Sequence, residues 1–336
     1  MSFEIHRGTN ISHWLSQSQA RGDERRRWFT RANVEQISRW DFDHLRLPVD
    51  EEQLWATDGS REPEGFELLL EALDWCHQAG LRVVVDLHIL RSHYFNDEDV
   101  PALYTDPAEG RRFAALWGDL SSALGSLPTD LVAYELLNQA VAPTSHAWNV
   151  VWRLAYEVIR ANEPDRTIVL GSNRFNQCQT FPKLSVPRDD NLMLTFHYYN
   201  PMFVTHYTAP WWRQGGSYAG PIRYPGRPIP DSQHIAVERL RDAGIEHENR
   251  DFDCEVMITD MKVPLSIADA AGHPLYCGEF GCYEHTPPDI REAWYRDMAR
   301  AFRELDIAWA NWDYKGNFGL IDDSGKETGV RSWFAV

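Results

Sequence analysis

Basic residues are scarce in this chain. Its 336 residues include 33 lysines and arginines against 50 aspartates and glutamates, which gives a formal net charge of -17. A strongly negative surface repels phosphate groups and anionic lipids, so we expect neither nucleic acid nor a membrane surface as a partner. The chain also lacks any apolar run near the roughly 18 residues that a membrane-spanning helix needs.

Cysteine is sparse, and the usual cofactor motifs are missing. The five cysteines are odd in number and form no Cys-x-x-Cys pair, so neither a disulfide framework nor a zinc site is expected. The chain has no glycine-rich phosphate loop and no metal-ligand spacing of His, Asp and Glu. These absences predict a protein that works without a cofactor or metal ion.

The first residues lack both parts of a secretion signal. Met1-Ser2-Phe3-Glu4-Ile5-His6 contains no basic stretch and no apolar stretch. This start predicts a cytoplasmic protein, although a secreted protein whose signal had been removed would begin in a similar way.

Short apolar runs alternate with helical patterns along the whole chain. With 43% hydrophobic residues, a chain of this length can form one large α/β barrel or two ordinary domains. Eight runs separated by helices favour a single (β/α)8 TIM barrel over residues 1–336. The predicted strands are Ile5–Thr9, His44–Leu47, Leu81–Leu87, Leu131–Leu137, Thr167–Leu170, Leu192–His197, Leu275–Cys277 and Ile307–Asn311.

Three stretches have the apolar spacing of helices that pack outside such a barrel, namely Glu64–Gln78, Ser145–Ala161 and Pro288–Leu305. The connection between strands six and seven is much longer than the others and is rich in proline and aromatic residues. Only 233–243 and 260–271 have a helical pattern there. A long loop in a compact domain is functional or disordered, so we predict a wall of a ligand cleft, with a flexible excursion as the alternative.

Tryptophan is abundant, with fourteen in the chain. Aromatic faces stack on the C–H faces of sugar rings, so an aromatic groove suits carbohydrate. Ordinary core packing is the alternative and explains many of these residues.

Polar and aromatic side chains follow most of the predicted strands. In a closed parallel barrel the carboxyl ends of all strands meet on one rim, where barrel enzymes have their active sites. Residues from seven strands would then meet at one site, which packing alone does not explain. They are Asn10, Trp14, Arg46, His88, Asn138, Gln139, His197, Tyr199, Glu279 and Trp312.

Seven short motifs occur in a specific order. They are Arg7-Gly8-Thr9-Asn10, Leu45-Arg46-Leu47-Pro48, Asp86-Leu87-His88, Tyr134-Glu135-Leu136-Leu137-Asn138-Gln139, His197-Tyr198-Tyr199, Gly278-Glu279-Phe280-Gly281 and Trp309-Ala310-Asn311-Trp312. In this order they resemble glycoside hydrolase family 5, a family of retaining (β/α)8 glycosidases. The resemblance runs from about Arg7 to Ile321 and implies a β-linked carbohydrate as the partner and no cofactor.

The resemblance implies a role for each site residue. Glu279 is expected to be the nucleophile, and position 139 is expected to be the acid/base. Asn138 would bond the sugar 2-hydroxyl, and Trp312 would be the platform for the sugar on the nonreducing side of the cleaved bond. The others would steady the nucleophile (Arg46 and Tyr199), bind hydroxyls or orient the acid/base (His88 and His197), or line the substrate site (Asn10 and Trp14).

Retaining hydrolysis requires two carboxyl groups about 5–5.5 Å apart, one to attack the anomeric carbon and one to protonate the leaving oxygen. We expect Arg46 to lower the pKa of Glu279 and to keep it ionised. The acid position, however, holds Gln139, whose amide has no titratable proton. Acid–base help is worth about 10²–10⁴ in rate, so this chain is predicted to be nearly inactive on poor leaving groups.

Three explanations of Gln139 are open. It can replace a parental glutamate, which would leave the groove intact and hold an uncleaved substrate. The chain can be a natural pseudoenzyme that binds carbohydrate. The acid can also come from another residue, such as Glu135 or Glu284, although Glu135 lies four residues deeper and is better explained as a buried structural carboxylate.

Other polar residues have competing interpretations. Asn162-Glu163-Pro164 spells the family's acid/base tripeptide, but it follows a helix and precedes a strand, which predicts the opposite rim. Asp313 either contacts sugar or caps a loop. Arg46 can pair with Asp41 or Asp86 instead of serving the site.

The sequence as a whole predicts a retaining β-glycoside hydrolase that acts on β-linked glucosyl oligosaccharides or polysaccharides. The predicted cytoplasmic location favours short oligosaccharides or aryl glycosides. A β-mannan-active hydrolase and a transglycosylase that uses the same covalent intermediate are the alternatives.

Overall fold

Eight parallel strands close into a barrel in the computed structural model, which describes residues 3–242 and 244–335. The strands are β1 (Arg7–Asn10), β2 (His44–Val49), β3 (Arg82–Leu87), β4 (Val132–Glu135), β5 (Ile168–Gly171), β6 (Leu192–Tyr198), β7 (Leu275–Phe280) and β8 (Ala308–Asn311). Each strand pairs with the next in the chain, and β8 pairs with β1 to close the ring. The predicted (β/α)8 barrel is confirmed.

The strand boundaries differ from the predicted ones at two places that matter for the site. β7 continues to Phe280, because Glu279 still pairs with His197 of β6. β4 ends at Glu135, so Asn138 and Gln139 lie on the loop after it. A short apolar run predicts that a strand exists, but its ends depend on the partner strands.

Helices cover the outside of the barrel. They are α1 (Gly22–Trp28), α2 (Arg31–Arg39), α3 (Glu51–Leu54), α4 (Pro63–Gln78), α5 (Ala102–Thr105), α6 (Pro107–Leu124), α7 (Ser145–Asn162), α8 (Asn173–Asn176), α9 (Met202–Thr205), α10 (His234–Asp242), α11 (Cys254–Ala271), α12 (Pro288–Leu305) and α13 (Arg331–Phe334), with 3₁₀ turns at Cys178–Lys183 and Glu246–Asn249. Of these, α8 is a single turn whose backbone is left-handed from Arg174 to Asn176. The three predicted barrel helices correspond to α4, α7 and α12.

Side-chain caps fix where several of these helices begin. Glu62 accepts a hydrogen bond from the Gly65 amide at the start of α4, and Thr144 accepts one from the Ala147 amide at the start of α7. Such a cap stabilises a helix by about 1 kcal/mol. Because these helices begin beyond the carboxyl ends of the strands, their caps also anchor the loops that carry the site.

The long connection between β6 and β7 is a folded insertion. Phe203, Ile229 and Leu240 form a small apolar cluster of their own, against which Trp212 and Tyr218 pack. Helix α11 begins at Cys254, six residues before the predicted helix, because Asp253 caps it. The predicted helix at 233–243 corresponds to α10, and its last residue lies outside the described part of the chain.

Membrane-spanning helices and metal-binding clusters are absent from residues 3–242 and 244–335. No helix there is long and apolar enough to cross a membrane. No group of three or more His, Cys, Asp and Glu side chains that could hold a metal ion occurs in the same residues. All five cysteines are buried free thiols.

Candidate active site

Arg46 occupies the centre of the rim formed by the strand ends. Its guanidinium is fully buried and donates to Glu279 Oε1 at 2.7 Å. It also binds both carboxylate oxygens of Glu135, at 2.7 and 2.9 Å, and lies 3.0 Å from Asp86 Oδ2. Arg46 therefore both serves the site and pairs with Asp86, one of the two partners that its sequence context suggested.

The guanidinium of Arg46 is a single buried positive charge beside three buried carboxyl groups, those of Asp86, Glu135 and Glu279. One cation cannot fully offset the cost of burying three negative charges, so the pKa values of the carboxyl groups rise. Burial raises the pKa of Asp86 and of Glu135 to about 7, and the charge of Arg46 only partly offsets it. Burial also raises the pKa of Glu279 above its ordinary value, again against the effect of Arg46. Arg46 does lower the pKa of Glu279, as predicted, but the loss of water on burial outweighs this attraction and the net shift is upward.

These shifts predict a pH dependence that a single variant isolates. Between about pH 4.5 and 7 the folded chain retains a proton on Glu135 that the unfolded chain releases, so the stability due to Glu135 is greatest at low pH and falls as pH rises through about 7. We expect the free energy of unfolding of the chain, relative to Glu135→Gln, to fall by up to about 1.4 kcal/mol per pH unit across this window. Urea denaturation of both proteins from pH 5 to 8 measures it, and a difference that rises with pH would contradict the assignment.

Asn10 lies behind Arg46 and holds the strand ends together. Its amide donates to the carbonyls of Gly278 at 2.9 Å and Asn311 at 3.1 Å, and its Oδ1 accepts from Arg46 at 2.9 Å. Because Asn10 is fully buried, it positions Arg46 and does not line the substrate site as predicted.

The prediction that Trp14 lines the substrate site is wrong. Its ring is completely buried, packs against Phe29 at 5.1 Å and donates its indole N–H to the Arg25 carbonyl at 2.8 Å. The chain turns inward after β1, so this aromatic residue belongs to the core. Its position in the sequence, near a strand end, could not show whether the side chain lines the substrate site or packs into the core.

His88 and Asn138 form one hydrogen-bonded unit. Burial lowers the pKa of His88 to about 3, so the ring is neutral and its Nδ1–H donates to Asp86 Oδ2 at 2.7 Å. Asn138 Oδ1 accepts from Arg46 at 3.0 Å, and its Nδ2 lies 3.4 Å from His88 Nε2. The amide orientation of Asn138 is therefore set by Arg46 on one side and His88 on the other.

Gln139 and Glu279 meet at the same histidine. Gln139 Nε2 lies 3.0 Å from His197 Nδ1, and Glu279 Oε2 lies 3.4 Å from the same atom. The Nε2 and Oε2 atoms can therefore be no more than about 6.4 Å apart, which accommodates the about 5–5.5 Å separation of a retaining pair. Gln139 has a φ of 44°, and left-handed backbone at a non-glycine residue is characteristic of functional sites.

A bulge between β6 and β7 places His197 beside Glu279. The register shifts after Phe196, so that His197 pairs with Glu279 and Gly278 is passed over. A Cβ on Gly278 would lie 2.8 Å from Thr195 Oγ1 and 3.2 Å from His197 Nε2. Only glycine fits there, which explains the glycine before the carboxylate in the sequence.

Tyr199 holds the second oxygen of Glu279. Its hydroxyl donates to Oε2 at 2.9 Å, while Arg46 donates to Oε1. Burial and the Glu279 charge raise the pKa of Tyr199 well above its ordinary value, so the phenol remains a donor. Both oxygens of Glu279, which is only 3% exposed, are thus oriented by the protein.

Trp312 forms an aromatic side of the site. Its ring is nearly parallel to that of His88, with centroids 5.6 Å apart, and 7% of the residue is exposed. It belongs to an aromatic cluster with Tyr283 and Phe318.

The insertion extends this aromatic cluster. Trp212 packs against it, and Trp211 contacts Tyr283 with ring centroids 4.9 Å apart. Arg213 forms an ion pair with Glu98 on the loop after β3. The insertion therefore reaches loops on more than one side of the rim, in keeping with a cleft wall and not with a flexible excursion.

Four other carboxylates were considered for a catalytic or sugar-binding role, and each has structural partners or lies apart from the site. Glu163 binds Arg166 and Ser121 where α7 meets β5, at the opposite end of the barrel. Glu135 is bound by Arg46, and Glu284 is exposed on the loop after β7. Asp313 is fully buried and accepts a hydrogen bond from Ser12, so it holds a loop and does not face solvent.

Two contacts were missed from the sequence. Asp86 was named only as a possible partner of Arg46, and its hydrogen bond with His88 was not predicted. Asn176 lies with its Nδ2 3.4 Å from His197 Nε2. The Asp-x-His spacing on a strand could have suggested the first, because alternate residues share a face. Asn176 lies in a turn with left-handed backbone, which no pattern in the sequence indicated.

The chain matches the family model of cellulases, glycosyl hydrolase family 5, over residues 9–318. It belongs to glycosyl hydrolase family 5. This family 5 chain is 30% identical over 311 residues to Endoglucanase C of Acetivibrio thermocellus. The matched region covers 92% of this chain and 90% of that protein. It is 28% identical over 306 residues to Cellodextrinase A of Ruminococcus flavefaciens, with 90% and 84% covered.

Solved structures agree with this assignment. The structure of Thermotoga maritima Cel5A in complex with cellobiose superposes with a TM-score of 0.79 at 25% sequence identity. That match covers 99% of this chain and 97% of the other. The resemblance drawn from the motifs is thereby confirmed at the level of family and fold.

Proposed function

We propose that this chain binds β-1,4-linked gluco-oligosaccharides and is a retaining β-glucanase whose acid/base position is occupied by Gln139. The observation that carries the proposal is the contact of Gln139 and Glu279 with one nitrogen of His197. The names of the relatives support the substrate class, since one is an endoglucanase and another a cellodextrinase.

Glu279 is the nucleophile in this proposal. One of its oxygens attacks the anomeric carbon, the bond to the leaving oxygen breaks, and a covalent glycosyl ester forms with inversion. Arg46 and Tyr199 hold the two oxygens, so the carboxylate enters the reaction already oriented. Its raised pKa makes it a stronger base when ionised than an ordinary exposed glutamate.

In a retaining enzyme of this family, the acid/base at position 139 would protonate the leaving oxygen in the first step. It would then remove a proton from the attacking water in the second step. A glutamate there would touch His197 as the glutamine does, and its acid form would be favoured by the nearby Glu279 charge. Glutamine has nearly the same shape but carries no transferable proton. We therefore interpret Gln139 as a replacement that preserves binding and suppresses turnover.

Products and substrates of the Gln139→Glu variant test the proposal. We expect it to hydrolyse cellotetraose and to release products with retained anomeric configuration, as followed by NMR during the first minutes of reaction. Faster cleavage of mannotetraose would replace the glucan assignment with a mannan one. A product longer than the substrate, formed on addition of cellobiose as acceptor, would indicate a transglycosylase.

A further inference from the structure

A chain of three hydrogen-bonded residues lies beside Trp312 and has no part in the reaction described above. Ser12 Oγ donates to Asp313 Oδ2 and contacts His13 Nδ1 at 2.7 Å. His13 Nδ1 is also 3.7 Å from Asp313 Oδ2. Ser12 and Asp313 are buried, whereas the His13 side chain is 41% exposed, so a buried acid holds a residue that is open to solvent beside Trp312.

The order of donors assigns the protonated nitrogen of His13. A serine hydroxyl has one proton, and Ser12 gives it to the carboxylate of Asp313. The contact of Ser12 Oγ with His13 must then be donated by Nδ1–H. In the neutral ring this leaves Nε2 with a free lone pair, which makes it an acceptor for a hydroxyl group.

The position of His13 indicates which sugar it meets. Its ring centroid is 6.5 Å from that of Trp312, in edge-to-face geometry. It lies on the loop after β1, next to β8, whereas Gln139 follows β4 on the far side of the rim. Since position 139 acts on the leaving oxygen, His13 is on the nonreducing side of the cleaved bond.

His13 is also further out than the residues around the cleaved bond. Glu279 and Trp312 are at most 7% exposed, so the sugar that they hold sits deep. The more exposed His13 is therefore next to the following sugar.

We propose that His13 Nε2 accepts a hydrogen bond from a hydroxyl of the second sugar on the nonreducing side, with Ser12 and Asp313 as positioning residues. This inference rests on the proposed function and adds a contact that selects chains of at least two glucosyl units on that side. Polar contacts of this type fix orientation in a sugar cleft, while the aromatic faces supply most of the buried area.

Calorimetry with the unaltered Gln139 chain and cellotetraose tests this contact. A single hydrogen bond to a neutral partner is worth a factor of about three to ten in affinity, so we expect His13→Ala to raise Kd by that factor. His77→Ala, an exposed histidine at the end of α4, is the matched control and should leave Kd unchanged. Melting temperatures of both variants report folding, which the exposed position of His13 should not affect.

The two proposals fail in different ways. Absence of cellotetraose binding by the unaltered chain would refute the proposed function. Binding by the unaltered chain with an unchanged Kd in His13→Ala would refute the His13 contact alone.

A double-mutant cycle tests the positioning role of Ser12. If Ser12 acts only by holding His13, the double variant Ser12→Ala/His13→Ala binds as His13→Ala does. If the losses of affinity caused by the two substitutions are independent and add up, Ser12 does not act through His13 and the proposed positioning role is wrong. A purely structural serine would weaken binding whether or not the histidine were present.

Discussion

Replacing Gln139 with glutamate should raise kcat/KM on an unactivated β-glucoside by at least about a hundredfold, the lower end of what acid–base catalysis supplies. The new carboxyl would occupy the amide's position against His197, within reach of the bond that Glu279 attacks. Burial and the negative charge of Glu279 would favour its acid form, as proton donation requires. Hydrolysis of cello-oligosaccharides by the two proteins, measured side by side, gives the ratio.

The leaving group provides the control for this experiment. A dinitrophenyl glycoside departs with little protonation, so kcat/KM for that substrate should change much less than for the unactivated one. A gain that is equal for both substrates would point to improved binding and not to proton transfer. A gain below about a hundredfold on the unactivated substrate would contradict the prediction and favour a carbohydrate-binding pseudoenzyme.

Replacement of Arg46 with methionine should produce the largest loss of stability of any substitution at the site. It would leave Asp86, Glu135 and Glu279 buried without their common cation. Removing one partner of a buried ion pair typically costs about 3–5 kcal/mol, because the remaining charge is neither hydrated nor paired. Urea denaturation at pH 7.5 measures the change in the free energy of unfolding.

Arg61→Met is the matched control. Arg61 binds Asp119 at 2.8 Å, but its side chain is 44% exposed and that of Asp119 is 38% exposed. Solvent screening limits such a pair to about 1 kcal/mol or less. Equal losses for the two variants would show that the Arg46 cluster is not the special feature that its burial implies.

The barrel was predictable because its signals are local. Each strand of a barrel covered by helices is buried on both faces and appears as a short apolar run, as at Val83, Val84 and Val85. Polar residues that end such runs meet on one rim once the ring closes, and Arg46, Asn138, His197 and Glu279 do so. The facing of position 139 and Glu279 was therefore inferred from the order of the strands, whereas their catalytic roles came from the resemblance to the family.

What could not be predicted depends on three-dimensional neighbours. Asn10 ends β1 and Trp14 lies on the loop after it, as substrate-binding residues would, yet both side chains are buried. The pKa of Glu279 is a balance between burial and Arg46, and a sequence names the partner without stating the burial. The His13–Ser12–Asp313 relay joins loops about 300 residues apart, and only the closure of β8 onto β1 brings them together.

A crystal of the unaltered chain soaked with cellotetraose tests the central claim most directly. We predict one glycosidic bond between Gln139 and Glu279, with a Glu279 oxygen about 3–3.5 Å from the anomeric carbon and the Gln139 amide against the bridging oxygen. A sugar chain that lies elsewhere on the barrel, or one whose anomeric carbons all remain beyond hydrogen-bond reach of Glu279, would contradict it.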